Sequence, residues 1–183
     1  MNQPATVPRI IHFPEDDLFL NDLAASGDDL YISVTNSGRI YKMDISGPSK
    51  PDGLSPELWL EIVGPNGIII DNNIMYVASY PADGNTTDQN VIYKVGDLSN
   101  PEAEVLFNVP GQYDGIALST DKETLYISNW TPAEVIAIGV RNGMRTRLSL
   151  DENLTGPADM TLTGGKLYIP DLPNSRVLVH DLK

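Results

Sequence analysis

Five oxygen-bearing side chains occupy two neighbouring positions of a pattern that occurs four times in the sequence. Asn21, Asn66 and Asp114 share one position of this repeat, and Asp22 and Asp159 share the next. Carboxylate and amide oxygens are the donors that a hard divalent cation such as calcium prefers. These residues therefore predict a cation site, provided that the fold brings repeat-equivalent positions to one place.

The repeat consists of a polar start, a short apolar strand, a turn and a second apolar strand. The second strand carries a Leu-Tyr or Met-Tyr pair in every copy, at Tyr31, Tyr76, Tyr126 and Tyr168. Short apolar runs between Gly, Asn, Asp and Pro are typical of strands, and helical periodicity is nearly absent. About four strands fall in each unit of roughly 45 residues, which is the size of a propeller blade. The sequence therefore predicts an all-β fold, a β-propeller of four-stranded antiparallel blades.

A single propeller domain is predicted over residues 1–183. The approximate bounds of its four blades are 14–63, 64–110, 111–155 and 156–183. The last unit lacks a fourth strand, whereas the chain has a spare strand within residues 8–13, at Arg9 to Phe13. In a closed ring this strand would complete the last blade and remove an exposed edge. A closed four-bladed ring and a partial, longer propeller are the two alternatives.

The innermost strands of a propeller surround a central channel, so equivalent residues at their starts converge there. This favours a shared site for the five polar residues. A second interpretation is structural, because Asn-Gly and Asp-Gly are common turn dipeptides whose first residue tolerates positive φ. On that interpretation, Asp22 and Asp159 would accept hydrogen bonds from backbone amides at the channel mouth.

Composition excludes several classes of function. The 183 residues carry a formal net charge of −13, with a sequence pI near 4.3. A chain this acidic repels phosphates, so neither nucleic acid nor an anionic membrane is an expected partner. The sequence has no cysteine, and no apolar run approaches the roughly 20 residues of a membrane span. Its first residues lack the pattern of a signal peptide, and the residues alone leave the compartment open.

The motifs Pro65-Asn66-Gly67 and Asp114-Gly115 each open an inner strand and precede a Met-Tyr or Leu-Tyr strand. They resemble the senescence marker protein/gluconolactonase family. The likeness extends over almost the whole chain through Asn21-Asp22, Leu58-Trp59-Leu60 and Ala158-Asp159. The resemblance implies a propeller that usually has six blades, of which this chain has repeats for about four. It also implies a secreted or periplasmic location.

The resemblance further implies a divalent metal, usually calcium, at the top of the channel, and hydrolysis of lactones or related esters. Asn66 and Asp114 occupy the metal-ligand positions of the family, and the repeat adds Asn21 as a third candidate. The metal-binding Glu of the family's first blade has no counterpart here. A metal at this place would polarise a lactone carbonyl and lower the pKa of a water molecule. Asp159 or Asp22 would then act as the general base.

Two functional hypotheses follow. The first is a metal-dependent hydrolase of a small lactone or ester. The second is a propeller without catalysis that serves as a binding or structural scaffold, since propellers host many functions. An open propeller would leave strand edges unpaired, which predicts association between copies of the chain.

Overall fold

The structure is a computed structural model that describes residues 10–46 and 55–182. The strands and the one short 3-10 helix, η1, run in this order: β1 Leu20–Ser26, β2 Asp29–Val34, β3 Arg39–Asp44, β4 Glu57–Glu61, β5 Pro65–Asp71, β6 Ile74–Ser79, β7 Ile92–Val95, β8 Ala103–Phe107, β9 Tyr113–Leu118, β10 Thr124–Asn129, β11 Glu134–Gly139, β12 Arg145–Arg147, β13 Thr161–Thr163, β14 Lys166–Asp171, η1 Leu172–Asn174 and β15 Arg176–Asp181. No helix in this part of the chain is long and apolar enough to cross a membrane.

The strands form four antiparallel sheets, each built from consecutive strands. Blade 1 contains β1–β4, blade 2 contains β5–β8, blade 3 contains β9–β12, and blade 4 contains β13–β15. The inner strands follow one another in space, with β1 against β5, β5 against β9, and β9 against β13. This arrangement confirms the predicted all-β propeller.

Hydrophobic seams hold consecutive blades together. The cluster between blades 2 and 3 is the largest and includes Tyr76, Ile92, Leu125 and Ile127. A second cluster, around Tyr31 and Met75, joins blades 1 and 2, and a third joins blades 3 and 4. In all three seams the tyrosine of the repeat faces the following blade, which explains why the Leu-Tyr pair recurs.

The segment before blade 1 differs from the sequence-based expectation. Arg9 lies outside the described residues, and residues 10–13 form no strand and do not pair with blade 4. Ile11 and Phe13 instead cover the outer face of blade 1, where Phe13 meets the ring of Tyr41 edge-on at 5.3 Å. The apolar side chains of this segment therefore cover blade 1 and do not extend blade 4. Asp17 anchors the segment by accepting a hydrogen bond from the Tyr41 hydroxyl at 2.6 Å.

Blade 4 has three strands in the described part of the chain, as the repeat predicts. No hydrophobic cluster among the described residues joins blade 4 to blade 1. In the described structure the two ends of the blade series are therefore not joined by a hydrophobic seam of the kind that joins consecutive blades.

Candidate functional site

The predicted site residues lie at a β-bulge that is repeated in three blades. In β1, β5 and β9 one extra residue interrupts the pairing with the next strand, after Leu20, Pro65 and Tyr113 respectively. Asn21 and Asp22, Asn66 and Gly67, and Asp114 and Gly115 are the residues within these three interruptions. Bulges re-aim side chains and are common beside active sites. Asp159 lies two residues before β13, at the corresponding place in blade 4.

The Asn-Gly and Asp-Gly pairs are not turns with positive φ, contrary to the structural interpretation of the sequence. Their residues are in strands and are absent from the positive-φ positions of the described chain. Glycine is needed because the next inner strand passes very close. A Cβ on Gly67 would stand 2.4 Å from the Asp114 carbonyl oxygen, and one on Gly115 would stand 2.5 Å from Asp159 Cα. The two glycines thus place Asp114 and Asp159 at the channel.

Two serines hold the inner strands of neighbouring blades together. The Ser33 hydroxyl accepts a hydrogen bond from Asp22 N at 2.9 Å and donates one to the Asn66 carbonyl oxygen at 2.6 Å. Ser128 repeats this in blade 3, accepting from Gly115 N at 2.7 Å and donating to the Ala158 carbonyl oxygen at 2.9 Å. Sequence reasoning missed these supporting residues. The signal was the Leu-Tyr-Ile-Ser motif that blades 1 and 3 share.

Asp22 is a half-buried carboxylate held by backbone amides. Its Oδ1 accepts a hydrogen bond from Leu23 N at 2.7 Å, and its Oδ2 accepts one from Ile68 N at 2.8 Å. Burial raises the pKa of Asp22, and the two amides lower it in part. Because Ile68 belongs to β5, Asp22 joins blade 1 to blade 2, as the structural interpretation predicted for this residue.

Asp159 is less constrained than Asp22. One oxygen accepts a hydrogen bond from Met160 N at 2.7 Å, and the other has no hydrogen bond from the described residues. Loss of surrounding water and the charge of Asp22 raise the pKa of Asp159, although its surface is open to the channel. A free oxygen and a raised pKa are the properties of a general base.

Asp114 is the most unusual of the three acids. No described residue donates a hydrogen bond to its carboxylate, although most of the residue is buried. Burial, followed by the charges of Asp159 and Asp22, raises the pKa of Asp114 to about 7. The charges of Asp159 and Asp22 thus add to burial in disfavouring the ionised form of Asp114.

Asn66 and Asn21 have different surroundings despite their equivalent positions. Asn66 is 2% exposed, and its side-chain amide has no hydrogen-bond partner among the described residues. Asn21 is exposed, and its amide nitrogen donates to Thr35 Oγ1 at 3.1 Å. Ser37 Oγ is the only fully enclosed side-chain nitrogen or oxygen of the described residues without a partner, so the Asn66 amide keeps some access to solvent and can offer its oxygen to a ligand.

The channel contains a cavity of about 250 Å³, lined by residues of all four inner strands and of the segment before β13, among them Asp22, Ile68, Ile116 and Asp159. Asp114 and Asn66 do not line this cavity. Burial, and then the charge of Asp114, raise the pKa of the phenol of Tyr80, which directly follows β6. No group of three or more His, Cys, Asp or Glu side chains within the described ranges has a metal-binding arrangement. Any cation site must therefore combine carboxylate with amide oxygens.

No protein-family model and no curated protein matches the sequence. Solved structures do resemble the fold. A chain of the nidogen/laminin complex aligns with a TM-score of 0.69 and 19% identity, over 87% of this chain and 58% of that one. A gluconolactonase from Xanthomonas campestris aligns with a TM-score of 0.62 and 17% identity, over 84% of this chain and 55% of that one.

The computationally designed Ika4 protein aligns with a TM-score of 0.63 and 10% identity, over 97% of this chain and 100% of the designed chain. The chain thus spans little more than half of the nidogen/laminin-complex chain and of the gluconolactonase, but all of the designed protein. At these identities the likeness shows a shared propeller fold.

Proposed function

We propose that the protein hydrolyses a small lactone or ester at the channel mouth with the help of a divalent cation. The observation that carries this proposal is Asp114, a largely buried carboxylate that has no hydrogen bond from the described residues and lies beside two further carboxylates. Such a group costs stability unless a ligand uses it. A gluconolactonase among the structural neighbours supports the choice of reaction class.

The residues present fit a calcium-like cation. Asn66 offers a side-chain amide without a hydrogen-bond partner among the described residues, Asp114 offers a free carboxylate, and Asn21 has an unbonded side-chain oxygen at the rim. Hard oxygen donors of this kind suit calcium, with water completing the coordination. When bound, the cation would supply Lewis-acid activation of the carbonyl and of a water molecule.

The protein's own groups have separate roles in the proposed reaction. Asp159 takes the proton from water as the water oxygen attacks the carbonyl carbon, and returns it to the alkoxide that leaves when the ester C–O bond breaks. Asp22 positions Ile68 and the neighbouring Asn66, because both of its oxygens already accept amide hydrogen bonds. Asp159 is therefore the better candidate for the general base, and Asp22 is a positioning residue.

A small cavity lies beside the proposed general base Asp159, and the proposed cation ligands Asn66 and Asp114 lie outside its lining. Its volume of about 250 Å³ lies below the range of roughly 300–1,000 Å³ that is common for sites of drug-sized ligands. A lactone or ester of a few carbon atoms suits this space better than a polymer.

Calcium titration by calorimetry tests the cation. The wild type should bind calcium, and Asp114→Asn and Asn66→Ala should each weaken binding at least tenfold, since each removes one donor. Asp28→Asn is the matched control, because it removes a charge from the exposed turn at the other end of β1. Absence of binding at millimolar calcium would refute the cation site.

Hydrolysis tests the reaction. With calcium present, Asp159→Asn should lower kcat by about a hundredfold or more, in line with the usual contribution of a general base. Calcium affinity should change much less than kcat in this variant. If the wild type binds calcium but cleaves no lactone or ester in a panel, the non-catalytic scaffold becomes the preferred function. The amide contacts of Asp22 favour that second candidate.

A further inference from the structure

The outermost strand of blade 4 differs from its counterparts in the other blades. The third strands of blades 1, 2 and 3 are β3, β7 and β11, and each is paired on its outer side by a fourth strand. Strand β15 occupies the same position in blade 4, but none of the described residues pairs with its outer side. Its backbone N–H and C=O groups on that side are available to another strand.

Val177 shows what this strand lacks. Its register, opposite Pro170, matches the register of Ile40, Ile92 and Val135 in the other third strands. Those three side chains are 0% exposed, whereas Val177 is 56% exposed. Ile40 and Ile92 lie opposite Leu60 and Phe107 of a fourth strand and also pack against a cluster shared with the next blade. Val177 has neither kind of cover from the described residues.

The outer strands of blades 1 to 3 carry features that discourage further pairing. Charged side chains occur in each of them, for example Glu57 in β4, Glu104 in β8 and Arg145 in β12. The pairing of β4 and of β8 is also irregular. The centre of β15, Val177-Leu178-Val179, is uncharged like the centre of β4, and Arg176 and Asp181 flank it, but β15 pairs with β14 without a break. Natural sheets usually protect such edges.

We propose that β15 pairs antiparallel with β15 of a second copy of this chain, about a two-fold axis at Leu178. Directly opposite residues in an antiparallel pair place their side chains on the same face of the sheet. With the axis at Leu178, Val177 lies opposite Val179 of the second copy, so the exposed valines cover one another. With the axis at Val179, Val177 would lie opposite Asp181 instead. The sequence of β15 is thus self-complementary in one register.

A second copy suits this edge better than a highly charged partner, because its three central residues are apolar and the adjacent Lys166 and Asp181 neutralise each other in an ion pair. The chain as a whole carries a net charge of −13, which opposes association at long range. The dimer should therefore tighten as salt screens this repulsion, with the largest gain below about 0.15 M ionic strength.

Sedimentation equilibrium of the full chain, from about 5 to about 500 µM, covers the dissociation constants of weak interfaces. The wild type should dimerise. Val177→Glu and Val179→Lys should each weaken the dimer roughly tenfold or more, since symmetry alters two cross-strand pairs at once. An equimolar mixture of the two variants should recover a dimer, because one Glu–Lys pair and one Val–Val pair then form across the axis.

The control is Val105→Lys, which puts the same charge on another exposed valine, in β8 of blade 2, and should leave the dimer unchanged. Circular dichroism checks that all variants fold. A monomeric wild type at every concentration overturns the proposal, as does a dimer that both β15 variants leave intact. Loss of the dimer without recovery in the mixture overturns the register and indicates that a different segment occupies the edge.

Discussion

Asp114 and Asp171 are two aspartates of neighbouring blades, and the environments of their carboxylates are opposite. Asp114 lies in the inner strand β9 of blade 3, and Asp171 ends the second strand β14 of blade 4. Asp171, at the end of β14, is 0% exposed and accepts hydrogen bonds from Thr155 N, Gly156 N, Asn174 Nδ2 and Arg176 Nε. Burial alone would raise its pKa, but the bonds from Asn174, the two amides and Arg176 outweigh burial and hold the pKa of Asp171 well below its usual range. Asp114 receives no such bonds, and its pKa is raised.

The difference separates a structural acid from a candidate functional one. Asp171 fastens the connection between blades 3 and 4, and every donor around it belongs to the protein. Asp114 is held in place by the close passage of Gly67 but lacks partners of its own. Burial is common to both residues, so the presence or absence of donors is the property that indicates function.

The largest expected effect is on Asp171. Asp171→Ala leaves two backbone amides, the Asn174 amide nitrogen and Arg176 Nε without this acceptor, so the free energy of unfolding should fall by about 3–5 kcal/mol. Urea denaturation measures this change. Asp181→Asn removes a carboxylate that pairs only at the surface with Lys166, and it should change stability little. Equal effects of the two substitutions on stability would mean that Asp171 is not a structural acid of special importance.

The second largest effect is expected at Asp114, where substitution should raise the free energy of unfolding and not lower it. Its folded-state pKa of about 7 lies above the ordinary aspartate value of 3.8, so the contribution of Asp114 to stability is greatest below the lower value and is lost as pH rises through the higher one. In the absence of calcium, Asp114→Asn should therefore stabilise the protein by about 1–3 kcal/mol at pH 8, after allowance for partial exposure.

The gain in the free energy of unfolding from Asp114→Asn should decrease below neutral pH and vanish near pH 4. Thermal unfolding across this range measures it, and saturating calcium should reverse the order of wild type and variant at pH 8. A variant that is less stable than wild type at pH 8 without calcium would mean that the Asp114 carboxylate has a structural partner.

The smallest effect concerns the support of the site. Ser128→Ala removes the hydroxyl that bridges Gly115 N and the Ala158 carbonyl oxygen, and it should cost about 1–2 kcal/mol in urea denaturation. Ser33→Ala is the matched variant in blade 1 and should cost a similar amount. If Ser128→Ala leaves stability unchanged but lowers calcium affinity, the serine positions the site without stabilising the seam.

Much of the fold could be predicted because the repeat specifies it locally. The Leu-Tyr pairs located the second strand of every blade, and the polar starts located the bulged ends of the inner strands. The cover of blade 1 by Ile11 and Phe13 could not be predicted, because an apolar run of a few residues fits a strand and a packed loop equally well.

The repeat also predicted that Asp22, Asp114 and Asp159 lie at one channel mouth. It could not predict which of them is the best candidate for a general base or a cation ligand. Their ranking depends on which backbone amides reach each carboxylate, and that depends on the bulge geometry. Asn21 and Asn66 illustrate the same limit, since equivalent positions gave one exposed and one buried side chain. The repeat specifies position, whereas the neighbouring blade specifies environment.

The seam between blades 2 and 3 has a consequence for temperature. Blade 2 has Ala78 where blades 1 and 3 have Ser33 and Ser128, so this seam lacks the serine bridge and combines the largest apolar cluster with a surface ion pair between Asp71 and Lys122. Apolar burial contributes less to stability as water cools, whereas hydrogen bonds are less affected. Near freezing, amide hydrogen exchange should therefore be fastest at this seam. The molecule should open there into two halves, blades 1 with 2 and blades 3 with 4, and Asp114 lies at the interface between them.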